Sequence, residues 1–134
     1  MPVELTKQSI DIGIVTSNGP AMLKFYGEVL GLKLVRELPL PGGWALQHQF
    51  ACGESLVKIL VAKNPVPAAT PGGIQGAAGY RYCTLSVGNL TEVLAQCVQH
   101  GAPIVLSERE IRPGIRIAIV ADPDGNYVEF LATG

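Results

Sequence analysis

The strongest constraint on the fold is an internal repeat of one pattern: a strand, a helix and three further strands. In the first copy these elements are predicted, in order, at residues 9–16, 18–30, 32–38, 44–51 and 56–62. In the second copy they are predicted at residues 80–87, 89–101, 103–107, 115–121 and 127–132. The offset from Asn18 to Asn89, before the helices, and the offset from Gly31 to Gly101, after them, differ by only one position. An offset this constant predicts a duplicated module.

The segment between the two copies has a different composition. Residues 64–79 hold prolines, glycines and alanines and carry no charge, which is typical of a connector. We therefore expect one α+β domain over residues 1–134. Module one is predicted at about 9–63 and module two at about 80–134.

The ends of the predicted helices carry recognisable signals. Asn18 and Asn89 are expected to cap the two helices, and Glu92 stands where a capping box places its acidic residue. Gly31 and Gly101 are expected to end them in the left-handed conformation.

Composition excludes several classes of partner. The chain has 134 residues, 48% hydrophobic and 16% charged, with a net charge of −1, so we expect neither nucleic-acid nor membrane binding. Arg109, Arg112 and Arg116 lie close together, but Glu108 and Glu110 interleave with them. A solvated loop is predicted there.

The three cysteines are too few and too scattered for a disulfide scaffold or a zinc cluster. The first residues have no basic region followed by an apolar stretch, and the chain has no apolar run of membrane length. A cytoplasmic protein is expected.

Strand alternation predicts which side chains face each helix. The helix side is expected to hold Ile10, Ile12, Ile14, Val57, Ile59, Val61, Cys83, Leu85, Val87, Val128, Phe130 and Ala132. The opposite side is expected to hold Asp11, Gly13, Val15, Leu56, Lys58, Leu60, Tyr80, Tyr82, Thr84, Ser86, Tyr127, Glu129 and Leu131. This second set mixes apolar, aromatic and charged groups, which is typical of a binding cleft.

Several segments resemble one known superfamily. They are DIGIV at 11–15, FYGEVLGL at 25–32, VGNL at 87–90, DPDGN at 122–126 and VEFL at 128–131. With them the chain resembles the glyoxalase/bleomycin resistance/extradiol dioxygenase superfamily, also called vicinal oxygen chelate, over nearly its whole length. The resemblance implies two βαβββ modules whose curved mixed sheets surround a cleft, and it implies a homodimer.

The resemblance also implies four site positions. Family members that bind a divalent metal commonly take His, Glu, His and Glu from the start of each module's first strand and from each fourth strand. By spacing, these positions here are Asp11, Lys58, Tyr82 and Glu129, and the same sequence offset relates Asp11 to Tyr82 and Lys58 to Glu129. We expect the four side chains to converge on one pocket.

Only Glu129 keeps the usual identity. A protonated phenol binds metal poorly, and the ammonium of Lys58 offers no lone pair and repels a dication. We therefore expect no metal cofactor; the alternative is a divalent ion held by Asp11 and Glu129. One hypothesis is that Lys58 bridges Asp11 and Glu129 in place of the metal.

The functional alternatives stay open at this point. The four residues could form a structural polar network, or bind a small molecule without chemistry, as bleomycin-sequestering relatives do. An enzyme could use Lys58 or Glu129 as a base and Tyr82 as a proton donor. A metal-dependent lyase, isomerase or dioxygenase with atypical ligands is the other enzymatic alternative.

Further ligand-binding candidates are Trp44, His48, Thr84 and Tyr127. Trp44 and Tyr127 could stack on a flat ligand or pack in the core. A lone histidine among large apolar neighbours is more often a packed, hydrogen-bonded side chain than a ligand. The expected partner is a partly apolar small molecule with a negative or hydrogen-bond-accepting group.

Overall fold

A computed structural model describes residues 2–69 and 73–133. The described residues contain eight strands and two α-helices. The chain divides into two compact units between Val66 and Pro67.

The first unit is a four-stranded mixed sheet with one helix. Its elements are β1 (Ile12–Thr16), α1 (Gly19–Lys24) continued by a π-helical turn (Phe25–Val29), β2 (Lys33–Pro39), a 3-10 turn (Pro41–Gly43), β3 (Ala45–Cys52) and β4 (Ser55–Ala62). The strand order is β1-β4-β3-β2. β1 runs parallel to β4, and the other neighbours are antiparallel.

The second unit repeats this arrangement. Its elements are β5 (Tyr82–Ser86), α2 (Leu90–Gln99), β6 (Ile104–Arg112), β7 (Ile115–Ala121) and β8 (Tyr127–Thr133). The strand order is β5-β8-β7-β6, with β5 parallel to β8.

The pairing of β1 with β4 has the same register as the pairing of β5 with β8. Gly13 pairs with Lys58 in the first sheet, and Thr84 pairs with Glu129 in the second. Thr84 and Glu129 are the counterparts of Gly13 and Lys58 under the offset that relates the two modules. The predicted duplication and the α+β fold of two βαβββ modules are confirmed.

Between Ala62 and Tyr82 the described residues form no helix or strand, which agrees with a connector. Part of the predicted connector, 70–72, lies outside the described residues.

The first helix covers one face of its sheet. A Cβ added at Gly19 would be 2.7 Å from Val61 Cγ1, and one added at Gly27 would be 3.0 Å from Phe50 Cε1. Met22 and Ile59 are fully buried in this layer, and burial of each such side chain stabilises the fold by roughly 1.5–3 kcal/mol. The predicted inward set Val57, Ile59 and Val61 therefore lies on the helix side.

The last turn of the first helix is wider than predicted. Leu30 donates its backbone N–H to the carbonyl of Phe25 at 2.9 Å, five residues back. Phe25, Tyr26 and Val29 are all buried, and the rings of Phe25 and Tyr26 meet edge to face at 4.9 Å. Gly31, at φ +73°, ends the helix as predicted.

Three predicted boundaries are wrong. β1 begins at Ile12, and Ile10, expected under the helix, is 85% exposed because it precedes the sheet. β5 begins at Tyr82, which leaves Tyr80 fully exposed. β6 extends to Arg112 and β7 begins at Ile115, so Arg109, Arg112 and Arg116, predicted in a solvated loop, lie in strands.

The predicted side-chain caps are also wrong. Neither Asn18 nor Asn89 makes a side-chain hydrogen bond to its helix. Each is nevertheless the residue before the helix, and its carbonyl accepts the first helical bond, from Met22 and Val93 respectively. The sequence located the start of each helix but not the side-chain conformation.

The longer of the two α-helices in the described ranges, α2, has ten residues. No helix there is long and apolar enough to cross a membrane.

Candidate functional site

Each sheet has one face that its own helix does not cover, which we call its helix-free face. Residues directly opposite in neighbouring strands point to the same face, so the register identifies the members. On the first sheet they are Gly13, Val15, Arg36, Leu38, Gln47, Gln49, Lys58 and Leu60.

Asp11 and Lys58 meet at the edge of this face. Asp11 Oδ2 is 3.8 Å from Lys58 Nζ. The other oxygen, Oδ1, accepts hydrogen bonds from Lys7 Nζ at 2.7 Å and from the backbone N–H of Leu56 at 2.8 Å. The structure thus brings together the two predicted site residues of the first unit.

These contacts favour the charged form of Asp11. The hydrogen bond from Lys7 lowers the pKa of Asp11 most, and the Leu56 N–H and the positive charges of Lys7 and Lys58 lower it further, against a smaller opposing effect of burial.

This pair does not fit a divalent metal. The ammonium of Lys58 has three donors and no lone pair. The oxygens of Asp11 already face two lysines and a backbone amide. Across residues 2–69 and 73–133, no group of three or more His, Cys, Asp or Glu side chains could hold a metal ion.

The helix-free face of the second sheet is built in the same way. Its members include Tyr82, Thr84, Ser86, Ile117, Ile119, Tyr127, Glu129 and Leu131. Glu129 stands opposite Thr84 and accepts a hydrogen bond from Thr84 Oγ1 at 2.7 Å. The structure therefore places Glu129 and Thr84 together, and contact of Glu129 with Lys58 stays a prediction.

Tyr82 and Tyr127 stand directly opposite each other in this sheet. Tyr82 is 52% exposed. Tyr127 is half-buried, and Gly73 lies against it, because a Cβ added at Gly73 would be 2.7 Å from Tyr127 Oη. Arg81 fixes Gly73 by donating from Nε and Nη2 to its carbonyl oxygen, at 2.8 and 2.5 Å.

Two predicted ligand-binding residues lie apart from these groups. His48 stands opposite Ile59 on the helix side of its sheet, is 8% exposed, and has Nδ1 3.4 Å from Glu37 Oε1. Its strand turns the side chain away from the face that carries Lys58, so it does not join that group. Trp44 precedes β3 and is 45% exposed.

Sequence reasoning missed Arg36 and Gln49 on the helix-free face of the first sheet. The register of β2 shifts between Leu34 and Arg36, and such a bulge reverses the alternation from that point on. The period-two pattern of residues 32–38 therefore could not place Arg36. β3 pairs with β4 without such a shift, so the alternation of Gln49 with His48 could have indicated its face.

Comparison with known proteins agrees with this architecture. The family model described as Glyoxalase/Bleomycin resistance protein/Dioxygenase superfamily matches residues 10–130. No curated protein matches the chain.

Three of the similar solved structures come from different organisms and are between 18% and 26% identical to this chain. A glyoxalase family protein from Enterococcus faecalis is 26% identical, with a TM-score of 0.75 over 94% of this chain and 98% of that one. The trypanothione-dependent glyoxalase I of Leishmania major is 22% identical, with a TM-score of 0.69 over 91% and 84%. TioX from Micromonospora sp. ML1 is 18% identical, with a TM-score of 0.69 over 93% and 98%.

Proposed function

The chain belongs to the Glyoxalase/Bleomycin resistance protein/Dioxygenase superfamily, and from that membership we propose that it binds a small organic molecule without a divalent metal. The observation that carries the proposal is the ion pair of Lys58 with Asp11, 3.8 Å apart, at two positions where metal-binding relatives hold ligands. A fixed positive charge on Lys58 takes the place of the cation.

Burial and polarity of the surrounding residues support a binding role. Lys58 has a side chain that is 33% exposed, so part of it is accessible to a ligand from solution. Val15 beside it is 45% exposed. A charged group among partly exposed apolar side chains is a common feature of small-molecule sites.

On the second sheet the proposed ligand contacts are Tyr82, Thr84, Tyr127 and Glu129. Glu129 carries a carboxylate whose hydrogen bond to Thr84 limits its orientations. The two tyrosines offer aromatic surface together with a phenol group that donates or accepts a hydrogen bond.

The test has two parts. Protein purified without chelators is analysed for metal by mass spectrometry and is expected to hold well under one ion per chain. A thermal-shift screen of organic acids and their neutral amides, followed by calorimetry, is expected to find saturable binding of one molecule per chain that excess EDTA leaves unchanged.

Two results would contradict the proposal. One tightly held divalent ion per chain would restore a metal-dependent function. Ligand binding that disappears on addition of EDTA and returns with zinc or manganese would do the same.

A further inference from the structure

A row of polar side chains crosses the first sheet at right angles to its strands. Gly13 of β1 pairs with Lys58 of β4, Lys58 pairs with Gln49 of β3, and Gln49 pairs with Arg36 of β2. Directly paired residues point to one face. Lys58, Gln49 and Arg36 therefore stand side by side on the helix-free face.

The spacing of the row suits one anionic group. Neighbouring strands are about 4.8 Å apart, so the backbones at Lys58 and Arg36 are about 10 Å apart with Gln49 between them. The long side chains of lysine and arginine can both reach an anion placed above Gln49. A carboxylate or sulfonate has enough acceptor sites to meet both cations and an amide N–H.

These donors are available. The guanidinium of Arg36 is on an exposed residue and makes no side-chain hydrogen bond or ion pair with any residue in the described ranges. Gln49 donates one N–H to Gln47 Oε1 at 2.5 Å, which leaves its second N–H for another acceptor. Lys58 has one ion pair among these residues, with Asp11, and an ammonium carries three N–H donors.

The next row along the strands is largely apolar. Val15 pairs with Leu60, Leu60 with Gln47, and Gln47 with Leu38. Successive residues on one face of a strand are about 6.6 Å apart. An apolar body attached to the anion would therefore lie over Val15, Leu60 and Leu38.

The second sheet provides an internal comparison. The row at the same register there is Thr84, Glu129, Ile119 and Leu106. It contains a carboxylate and two apolar residues where the first sheet has Lys58, Gln49 and Arg36. The anion-binding composition is thus particular to the first sheet and does not follow from the duplicated fold.

We infer that Lys58, Gln49 and Arg36 form a subsite for the acidic group of an amphipathic organic anion, with its apolar part over Val15, Leu60 and Leu38. This inference rests on the proposed metal-free binding function. It adds Arg36 and Gln49 as residues that determine specificity.

The experiment compares two ligands of nearly the same shape by calorimetry on the full chain: the anion 1-naphthylacetate and the neutral 1-naphthylacetamide, in which an NH2 group replaces one carboxylate oxygen. The acetate is expected to bind at least about tenfold more tightly, the ratio that one charge-assisted hydrogen bond provides. Only the affinity for the acetate is expected to fall with added salt, because exposed charges are screened.

Variants separate the acidic group from the apolar part of the ligand. Arg36→Met and Lys58→Met are each expected to weaken the acetate by about tenfold and to leave the amide unchanged. Val15→Ser is expected to weaken both ligands alike. Lys24→Met is the matched control, since Lys24 is an exposed lysine on α1, on the other side of the sheet, and it should change neither.

Equal affinity of the wild-type protein for acetate and amide would overturn the anion subsite and leave the proposed function standing. Failure of the acetate to bind at millimolar concentration would overturn it too, as would an unchanged acetate affinity in Arg36→Met. A tightly held metal ion would instead overturn the proposed function.

Discussion

Asp11 lies between two lysines and a backbone amide, and each of these favours its charged form. The hydrogen bond from Lys7 Nζ, at 2.7 Å, has the largest effect and lowers the pKa of the carboxyl group. Because the folded-state pKa is below the ordinary value of 3.8, this group stabilises the fold above that pH. The contribution is lost as the pH falls through the folded-state pKa.

The first prediction follows from the lowered pKa of Asp11. Replacing Asp11 with Asn removes the acid-sensitive contribution, so the urea midpoint of Asp11→Asn should fall less than that of the wild type between pH 6 and pH 2.5. Urea titrations followed by circular dichroism measure both. Asp124→Asn, at an exposed aspartate, is the control, and equal acid dependence of Asp11→Asn and the wild type would contradict the prediction.

At the residue scale, the sequence predicted the face of the sheet on which a side chain lies better than it predicted the residues that the side chain contacts. Spacing alone assigned Lys58 and Glu129 to the sides of their strands away from the helices, because strand alternation is a property of the backbone. It did not predict that Glu129 pairs with Thr84, or that Lys7 holds Asp11. Those contacts depend on rotamers and on a segment before β1 that has no periodic pattern.

At the scale of elements, Gly73, in the segment before β5, lies against Tyr127 of the second sheet. Gly73 has φ +67° and approaches Tyr127 so closely that a Cβ would be 2.7 Å from its hydroxyl. Its carbonyl accepts two hydrogen bonds from the guanidinium of Arg81. Both the backbone conformation and the available space require glycine here.

The second prediction compares two glycines with positive φ. Gly114→Ala, where φ is +78° and nothing lies within 4 Å, should lose about 1–2 kcal/mol through backbone strain alone. Gly73→Ala should lose at least about 1 kcal/mol more, because its Cβ also displaces the Tyr127 ring. Urea unfolding measures both, and equal losses would show that Gly73 does not constrain Tyr127.

Most elements could be predicted from periodicity, and the exceptions have physical causes. The strands β3, β4, β7 and β8 were predicted within one residue at each end. β6 was predicted too short because it lies at the edge of its sheet, where charged residues such as Glu108 and Arg109 are tolerated in strands. Arg116 of β7 forms an ion pair with Glu108, so these charges support a hairpin.

At the scale of the molecule, the chain consists of two compact units joined by a segment without helix or strand in its described part. Beyond Lys63, whose N–H still donates to the carbonyl of Trp44 at 2.9 Å, the described residues of this segment belong to no strand. They therefore lack the ladder hydrogen bonds that protect strands from proteases. Lys63, the first residue after β4, is exposed.

The third prediction concerns limited proteolysis. Trypsin should cut first after Lys63 and after Lys7, which is also exposed and outside the sheets. Mass spectrometry should then detect fragments 8–63 and 64–134. Arg112, at the tip of the β6–β7 hairpin, is protected because Pro113 follows it, and early cleavage after Lys58 or Arg116 would contradict the assignment of the strands.

The repeat and the order of the elements along the chain could be predicted at this scale, because one nearly constant offset relates the two modules. The family could be predicted from the short motifs that the two modules carry. The convergence of Asp11, Lys58, Tyr82 and Glu129 on one pocket, and the homodimer, stay predictions. Neither follows from periodicity, which describes a strand's two sides and not what covers them.

Positions in β1 and β4 have counterparts in β5 and β8, because the two strand pairs have the same register. Lys58 and Glu129 are such a pair, with opposite charges in equivalent backbone settings. The double exchange Lys58→Glu with Glu129→Lys therefore keeps the amino-acid composition and the net charge while swapping the sign at each location. Whatever that variant changes depends on where a charge resides and not on how much charge the protein carries.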